Sequence, residues 1–214
     1  MSSKEQQFLN AARVGDLSSV KKLAADPALN LNWQEPQHGH TAFNLACLKG
    51  HVLVVEFLLK HPKVDVNKPQ KNDSTPLYNA CQKGHQDVVA LLLEDDRIDI
   101  NKPESDQCTP LWFASQNGHL PVVQLILASG REVDTSTRSI GGTAAWNDKT
   151  AAQVARRQGT REKFAGEAEE VYARMKRNGP LIADLLDSFD LDPATTRQQL
   201  KDLLEQNDSE VIVI

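Results

Sequence analysis

The sequence predicts an all-α protein made of stacked helical repeats, because one segment recurs at a fixed period. Segments of similar sequence begin at Thr41, Thr75 and Thr109, at intervals of 34 residues. Paired aliphatic residues with helical spacing follow each of them. A period of this length is typical of units that cannot bury an apolar face alone, so we expect them to stack and share one core.

The repeated segment contains residues that begin and end a short helix. In its second copy, TPLYNACQKGH, the hydroxyl of Thr75 can cap the helix and Pro76 suits the first turn. Gly84 can adopt the left-handed conformation that ends a helix. A small residue recurs at one offset and predicts close helix packing; it is Ala46, Ala80 and Ala114 in the three copies.

A second helix and an arm complete each unit. The helix is predicted from aliphatic pairs one turn apart, which in the first copy are Val54, Val55, Leu58 and Leu59. The segments 64–67 and 98–101 alternate apolar and polar residues before a Lys-Pro pair. This alternation predicts an extended arm that turns back towards the next unit.

Taken together, these residues resemble the ankyrin repeat. Its signature, Thr-Pro-Leu-His-x-Ala followed by Gly-His, paired aliphatic residues and Asp-Val-Asn, is matched at Thr75 and Thr109. The histidine of the signature is replaced here by Asn44, Tyr78 and Trp112. The resemblance covers approximately residues 5–160 and implies an ankyrin-repeat solenoid of helix-turn-helix units with short β-hairpin-like arms.

The repeat pattern also predicts the domain organisation. Repeats are expected near residues 5–36, 37–70, 71–104 and 105–138, and a last, divergent repeat near 145–165, all within an ankyrin-repeat domain of residues 1–160. The first repeat has a polar outer face and is predicted to cap the array. Thr150 follows Thr109 by 41 residues, so the loop 135–148, which contains Trp146, is enlarged.

Beyond residue 160 the pattern predicts helices of another kind. They are expected at 160–177, 180–189 and 193–206, with a break at the Gly-Pro pair before the second. Because the end of a solenoid exposes an apolar face, the region 161–207 is predicted to be a helical cap, followed by a tail at 208–214. The apolar residues expected to form this cap are Phe164, Val171, Tyr172, Leu181, Ile182, Leu185, Leu186, Leu200 and Leu203.

The apolar chain end permits two interpretations. Ile212 and Ile214 stand two residues apart before the terminal carboxylate, which is typical of a ligand that adds as a strand to a PDZ domain. Alternatively, the tail folds back onto its own domain or is disordered. Deletion of residues 211–214 distinguishes the two, because it should abolish capture by a PDZ domain.

Composition argues against several classes of partner. Lys and Arg number 24 against 29 Asp and Glu, so the net charge of -5 provides no general attraction for nucleic acid or an anionic membrane. The apolar runs are too short to span a bilayer, and residues 1–10 lack the apolar region of a secretory signal. We therefore expect a soluble cytoplasmic protein, with the nucleus as the alternative compartment. The cysteines number 3 and follow no disulfide or zinc spacing.

Catalytic and metal-binding patterns are weak. His51, His85 and His119 each follow a glycine at the same repeat offset. The resemblance implies that they hold turns and link repeats, and stacked helices about 10 Å apart would separate their rings too far for one metal ion. His38 and His40 leave a surface metal pair as an alternative.

We predict that the protein is not an enzyme and needs no cofactor. The sequence contains no phosphate-binding glycine loop with its lysine, and no recognisable nucleophile with a base and an orienting group. An enzyme with a site in the enlarged loop 135–148 is the third alternative. Turnover that disappears when this loop is shortened would favour it.

The resemblance implies a concave partner-binding surface, formed by the arm tips and the inner face of the first helices. On the arms it comprises Gln37, His38, His40, Lys71, Asn72, Ser74, Ser105, Asp106 and Cys108. On the helices it comprises Leu48, Lys49, Gln82, Lys83, Gln116 and Asn117. Aromatic anchors are expected close by, at Trp33, Tyr78, Trp112 and Phe113. The alternative for Trp112 and Phe113 is that they fill space between repeats.

These observations predict a scaffold or adaptor that binds another protein or a peptide. Shape, hydrogen bonds and a few aromatic anchors would select the partner. The alternative is a regulatory subunit whose C-terminal helices bind or inhibit a catalytic partner, while the repeats serve as a handle.

Overall fold

The computed structural model describes residues 3–140, 147–160 and 167–210, with side chains in the last segment described up to residue 206. Two compact units divide the chain, Met1–Pro110 and Leu111–Ile214. The described residues form eleven α-helices and no strand, so the predicted all-α class is confirmed. None of the described helices combines the length and the apolar character that crossing a membrane requires.

The first unit consists of stacked helix pairs. Its helices are α1 (Lys4–Val14), α2 (Leu17–Ala24), α3 (Ala42–Lys49), α4 (Val52–Leu59), α5 (Pro76–Lys83) and α6 (Gln86–Leu93). Helix α3 packs between α1 and α5, whereas α4 packs between α2 and α6. The first helices therefore form one layer and the second helices another, as the repeat pattern predicts.

The predicted caps are present. The Thr75 hydroxyl accepts a hydrogen bond from the Tyr78 N–H at 3.1 Å, and Gly84 ends α5 with a φ of 75°. In α3, Asn44 replaces the signature histidine. Its Oδ1 accepts from the Thr41 N–H at 2.9 Å, and its Nδ2 donates to the Lys68 carbonyl at 3.0 Å. The substitution thus keeps both a helix cap and a link across the unit.

Close packing explains the small and aliphatic residues of the repeat. Ala46 and Ala80 are completely buried, and so are Leu58 and Leu92. Each buried leucine contributes about 1.5–3 kcal/mol relative to an exposed one. The segment 64–67 keeps its predicted alternation, because both valines are buried, but it forms turns instead of an extended strand.

The second unit combines repeat helices with longer ones. They are α7 (Pro110–Gln116), which begins at the last residue of the first unit, α8 (Leu120–Ala128), α9 (Ala151–Thr160), α10 (Glu169–Leu191) and α11 (Pro193–Glu210). Helix α10 packs along α9, and both α10 and α11 contact α8. The long helices therefore cover the repeat helices of this unit.

The predicted break at the Gly-Pro pair is wrong, because α10 continues through Pro180. A Cβ on Gly179 would lie only 2.4 Å from the Ala155 carbonyl oxygen. Gly159, within α9, similarly approaches the Pro180 ring, since a Cβ there would lie 2.6 Å from it. Two glycines thus allow α9 and α10 to cross closely, and we attribute the continuity of α10 through its internal proline to this packing.

Other boundaries of the C-terminal helices also differ from the prediction. Helix α10 begins at Glu169 instead of residue 160, and residues 161–166, with Phe164, lie outside the described residues. Helix α11 begins at Pro193 as predicted but extends to Glu210, into the predicted tail. Residues 211–214, with Ile212 and Ile214, lie outside the described residues.

Two of the predicted cap residues are exposed. Leu181 is 52% and Leu203 42% exposed, whereas Ile182, Leu186 and Leu200 are buried as expected. The continuous helix explains Leu181, because its apolar stripe runs through residues 175, 182, 186 and 189 and leaves position 181 on another side. Val171, Tyr172 and Leu185 are half-buried.

The enlarged loop is described only in part. Residues 141–146, which include Trp146, lie outside the described residues. On either side, the Asp148 N–H donates to the Ser139 carbonyl at 2.7 Å and the Arg138 guanidinium donates to the Asp148 carbonyl at 2.9 Å. The Thr135 hydroxyl donates to the Asp190 carboxylate at 2.5 Å, which ties the start of the loop to α10.

Candidate binding surface

Three arms of the first unit form a row in fixed register. Each arm is closed by a backbone N–H that donates to a later carbonyl, from Glu35 to His40, Gln70 to Ser74 and Glu104 to Cys108, at 3.0, 3.0 and 3.2 Å. We call these segments arm 1 (35–40), arm 2 (70–74) and arm 3 (104–108). The Lys71 N–H donates to the His38 carbonyl at 3.0 Å and the Ser105 N–H to the Asn72 carbonyl at 3.1 Å. The arms are therefore hairpin-like turns joined by main-chain bonds.

In arms 1 and 3, a glutamate carboxylate accepts hydrogen bonds from backbone N–H groups of its own arm. Glu35 accepts hydrogen bonds from the N–H groups of Gln37 and His38, both at 2.6 Å, and of His40 at 3.3 Å. Burial opposes ionisation of Glu35, but these N–H groups lower its pKa below the ordinary value. Glu104 holds arm 3 through the Asp106 N–H at 3.0 Å. Arm 2 has a neutral glutamine at the matching position.

Each arm tip contains one residue in the left-handed backbone region. The φ angles are 77° at Gly39, 63° at Asp73 and 61° at Gln107. Only arm 1 uses glycine, the residue that adopts this conformation without steric cost. The other two arms adopt it with ordinary side chains.

The glycine-following histidines of the first unit have the predicted structural role. The Nε2 atom of His51 lies 3.0 Å from the Arg13 carbonyl oxygen, and that of His85 lies 3.0 Å from the Leu48 carbonyl oxygen. Each ring packs against the glycine that ends the preceding first helix, and a Cβ on Gly50 would lie 2.7 Å from the His85 ring. Each histidine therefore joins two repeats. In the described part of the chain, no three His, Cys, Asp or Glu side chains are grouped to hold a metal.

Asparagine side chains form a second link between repeats, which was not predicted from the sequence. The Asn32 side chain donates to the Lys63 carbonyl at 2.8 Å and accepts from the Asp65 N–H at 2.8 Å. Asn67 likewise donates to the Arg97 carbonyl, at 2.6 Å. Their equivalence is apparent only when repeats are placed side by side.

Most of the candidate surface residues are accessible. Exposed are Gln37, His38, Lys49, Lys71, Asn72, Lys83, Ser105 and Asp106. Half-exposed are Trp33, His40, Leu48 and Gln82 and, in the second unit, Phe113, Gln116 and Asn117. The exposed candidates on the three arms are all polar or charged, so hydrogen bonds and charge dominate what these side chains can recognise.

Four of the candidates are buried instead. Ser74 is 1% exposed, Tyr78 4% and Trp112 2%, and Cys108 is also buried. The Trp112 indole N–H donates to the Lys149 carbonyl at 2.8 Å, so this tryptophan belongs to the core of the second unit. Its ring also meets the half-exposed Phe113 ring edge-on, with centroids 5.0 Å apart. Large aromatic residues near an expected groove are equally suited to filling space behind it, which is why sequence alone left both interpretations open.

Helix α1, helix α3 and arm 1 enclose an open groove of about 570 Å³, which we call the arm-1 groove. It is lined by Gln6, Leu9, Asn10, Arg13, Glu35, Pro36, Gln37, His38, His40, Leu45, Leu48 and Lys49. The residues from α1 were not among the candidates, because α1 was predicted only to cap the array. His40 lines the groove, and its Nδ1 is buried and has no hydrogen-bond partner among the described residues. Burial lowers the pKa of His40; the Glu35 carboxylate opposes this change, whereas the nearby His38 and Lys49 add to it.

A family model for ankyrin repeats (3 copies) matches residues 8–104 and 62–137, which together span more than half of the chain. The chain belongs to the ankyrin-repeat family. No curated protein matches the chain. Ankyrin repeats are generally protein–protein interaction modules, and proteins built from them are typically not enzymes.

The cysteines of this ankyrin-repeat protein are unsuited to nucleophilic chemistry. Cys47 and Cys81 have no exposed surface, and burial raises the pKa of both thiols above the ordinary value. For Cys108, burial is again the main cause of a raised pKa, and Glu104 adds to it. All three thiols therefore stay protonated at neutral pH and act as small core residues.

A further cavity of about 570 Å³ lies between α4 and α6, in the layer of second helices. Its charged side chains are largely paired with one another, Lys60 with Glu56 at 2.6 Å and Arg97 with Asp95 at 2.6 Å. The Arg97 guanidinium also donates to the Leu59 carbonyl at 2.5 Å. Because these side chains are paired, this cavity offers a ligand fewer unpaired charged groups than the arm-1 groove offers.

Proposed function

We propose that this ankyrin-repeat protein is a scaffold or adaptor that binds a protein or peptide partner on the surface formed by arms 1–3 and the ends of α3 and α5. The observation that carries the proposal is the row of main-chain hydrogen bonds between the arms. A surface held in register before binding loses little conformational freedom when the partner arrives. A cytoplasmic or nuclear location accompanies this proposal.

The accessible side chains define how such a partner would be held. Gln37, Asn72 and Ser105 offer hydrogen bonds at successive arm tips. Lys49 and Lys83 occupy equivalent positions in the last turns of α3 and α5 and offer positive charge. With Tyr78 and Trp112 in the core, the half-exposed Trp33 and Leu48 are the apolar anchors of the proposed surface.

A pair of charge reversals tests this proposal. The full chain is used to capture partners from a cell extract, and Lys71→Glu combined with Lys83→Glu is expected to lose the partner. The control combines Lys63→Glu with Lys102→Glu, which makes the same charge change away from the arm tips. Lys71→Glu also removes the hydrogen bond from the Lys71 ammonium to the Pro36 carbonyl, so thermal melting of both variants is measured to show that they remain folded. Retention of the partner by the first variant would exclude the arm surface as the binding site.

One observation favours the alternative function, a regulatory subunit that binds a catalytic partner through its C-terminal helices. Leu191 is 87% exposed and Leu181 52%, so α10 presents apolar side chains that its own unit does not cover. Leu181→Asp with Leu191→Asp should then remove binding or inhibition, while the arm variant retains it. If the opposite pattern is observed, the scaffold proposal is supported.

The tail remains a separate proposal. Ile212 and Ile214 would add to a PDZ domain as part of a strand. Deletion of residues 211–214 is expected to abolish capture by immobilised PDZ domains and to leave arm-dependent binding intact.

A further inference from the structure

The arm-1 groove is lined by more positive than negative side chains. Arg13 and Lys49 are exposed at its rim, and neither forms an ion pair within the described residues. The only carboxylate in the lining is Glu35, whose oxygens already accept three N–H groups of arm 1. The groove therefore offers two cations to a ligand.

His40 adds an unmet hydrogen bond to the same groove. Its Nδ1 is buried and lacks a partner among the described residues. A buried polar atom without a partner is destabilising, so a bound polar group that displaces the atoms covering it would gain a hydrogen bond. The groove volume of about 570 Å³ lies within the range of about 300–1,000 Å³ that is typical of ligand sites.

The floor of the groove is apolar. Leu9 and Leu45 are buried beneath it, and Leu48 is half-exposed. An aliphatic side chain can therefore be covered between the two cations and the imidazole. This arrangement suits a peptide that carries acidic and aliphatic side chains close together.

We infer that the arm-1 groove binds an acidic peptide segment of the partner, with a carboxylate between Arg13 and Lys49 and a polar group paired with His40. This inference rests on the proposed function and names the chemistry of its partner. A nucleic acid is disfavoured, because its phosphates call for a longer row of cations, and the neighbouring arm tips carry Asp73 and Asp106.

Peptide selection tests the inference with the full chain. A phage-displayed library of random 12-residue peptides is selected on the immobilised protein, and the enriched peptides are expected to be net acidic with at least one aliphatic residue. The strongest is then labelled with fluorescein and its Kd is measured by anisotropy. Enrichment of basic or uncharged peptides would overturn the inference.

Matched lysine variants locate the binding site. Lys49→Glu should weaken the Kd on the order of tenfold. Lys63→Glu makes the same change away from both helices and should bind within about twofold of the parent. Lys83→Glu makes it at the equivalent position of α5, which belongs to the arm surface but not to the groove, and should weaken the Kd less than Lys49→Glu does. If Lys83→Glu alone weakens binding, the arm surface stands but the groove assignment is wrong. Equal binding by all three variants contradicts both the arm surface and the groove assignment.

His40→Phe separates a binding role from a structural one. It removes Nδ1 but keeps a planar ring, so the variant should melt no lower than the parent while its Kd weakens about fivefold. Unchanged affinity would remove His40 from the inference. A single-stranded DNA oligonucleotide of the same net charge should not displace the peptide; displacement would assign the groove to polyanions and overturn the peptide proposal.

Discussion

The two units of the chain satisfy the carbonyl groups at the ends of their helices in different ways. In the first unit, the histidine of one repeat reaches the last turn of the preceding first helix, as His85 does with the Leu48 carbonyl at 3.0 Å. In the second unit, α10 supplies these partners. The Arg174 guanidinium donates to the Asn117 carbonyl at 3.0 Å, and Asn178 donates to the Gly118 carbonyl at 2.9 Å.

Helix α11 makes the matching contact at the end of α8. The Arg197 guanidinium donates to the Leu127 carbonyl at 3.3 Å and to the Arg131 carbonyl at 3.0 Å, and it lies over the Phe189 ring. Helix ends leave carbonyls without partners wherever they occur. The comparison shows that a repeat can be closed either by the next repeat or by side chains of unrelated helices.

The largest loss of stability is expected from a substitution that separates α10 from α9 in the second unit. Gly179→Leu places a side chain where even a Cβ would lie 2.4 Å from the Ala155 carbonyl, so α10 must move away from α9. We expect the free energy of unfolding to fall by about 3 kcal/mol or more, measured by urea denaturation. The control Ala173→Leu, on an exposed position of α10, should change it by less than about 0.5 kcal/mol. Equal effects would show that the crossing of α9 and α10 is not close.

Smaller losses of stability are expected when the histidine link of the first unit and the α10 link of the second unit are removed in turn. His85→Ala removes both the hydrogen bond to Leu48 and the ring that packs on Gly50, and should cost about 2–3 kcal/mol. Arg174→Ala removes a hydrogen bond from a half-buried side chain and should cost about 1 kcal/mol. His85→Gln, which keeps a donor, is expected to lie between. Thermal and urea unfolding measure all three, and a larger loss for Arg174→Ala would reverse the comparison.

Arms 1 and 2 offer a comparison within one unit. Glu35→Gln weakens the hold on three N–H groups and should destabilise the protein by about 1 kcal/mol at pH 7. The reciprocal change Gln70→Glu should stabilise it by about 0.5 kcal/mol. A loss of stability in the second variant would mean that arm 2 cannot adopt the arrangement of arm 1.

The contribution of Glu35 also depends on pH. Because folding lowers its pKa, the stabilisation is fully present above the unfolded pKa of about 4.3 and is lost as the pH falls through the lower folded value. Urea denaturation of Glu35→Gln should therefore approach that of the parent in acid. A difference that is independent of pH would assign the effect to packing.

The smallest expected effect concerns the arm tips. Gln107→Gly relieves a left-handed φ of 61° and should raise the free energy of unfolding by about 0.5 kcal/mol. Gly39→Ala is the opposite change, and its Cβ would lie 3.0 Å from the Lys71 nitrogen. It should destabilise the protein, and an equal sign for both changes would contradict this account of the arms.

Features that depend on local sequence could be predicted. The caps at Thr75 and Gly84 and the buried position of Ala80 need only the order of residues along one helix and the fixed period. The role of the histidines followed from the family resemblance. The arms and helix ends of the candidate surface were located in the same way.

Features that depend on two distant segments could not be predicted. Gly179 and Pro180 read as a helix break, and only the position of α9 shows why the helix continues. Tyr78 and Trp112 are residue types that often anchor a partner, but surrounding residues bury both side chains. The groove residues Gln6 and Arg13 were missed because α1 faces arm 1 only in three dimensions.

Hydrogen–deuterium exchange of the full chain with its captured partner tests the central claim most directly. We expect binding on the arm surface to protect amides of residues 37–40, 71–73 and 105–107, together with the ends of α3 and α5. Protection confined to α10 and α11, with the arms unchanged, would contradict it.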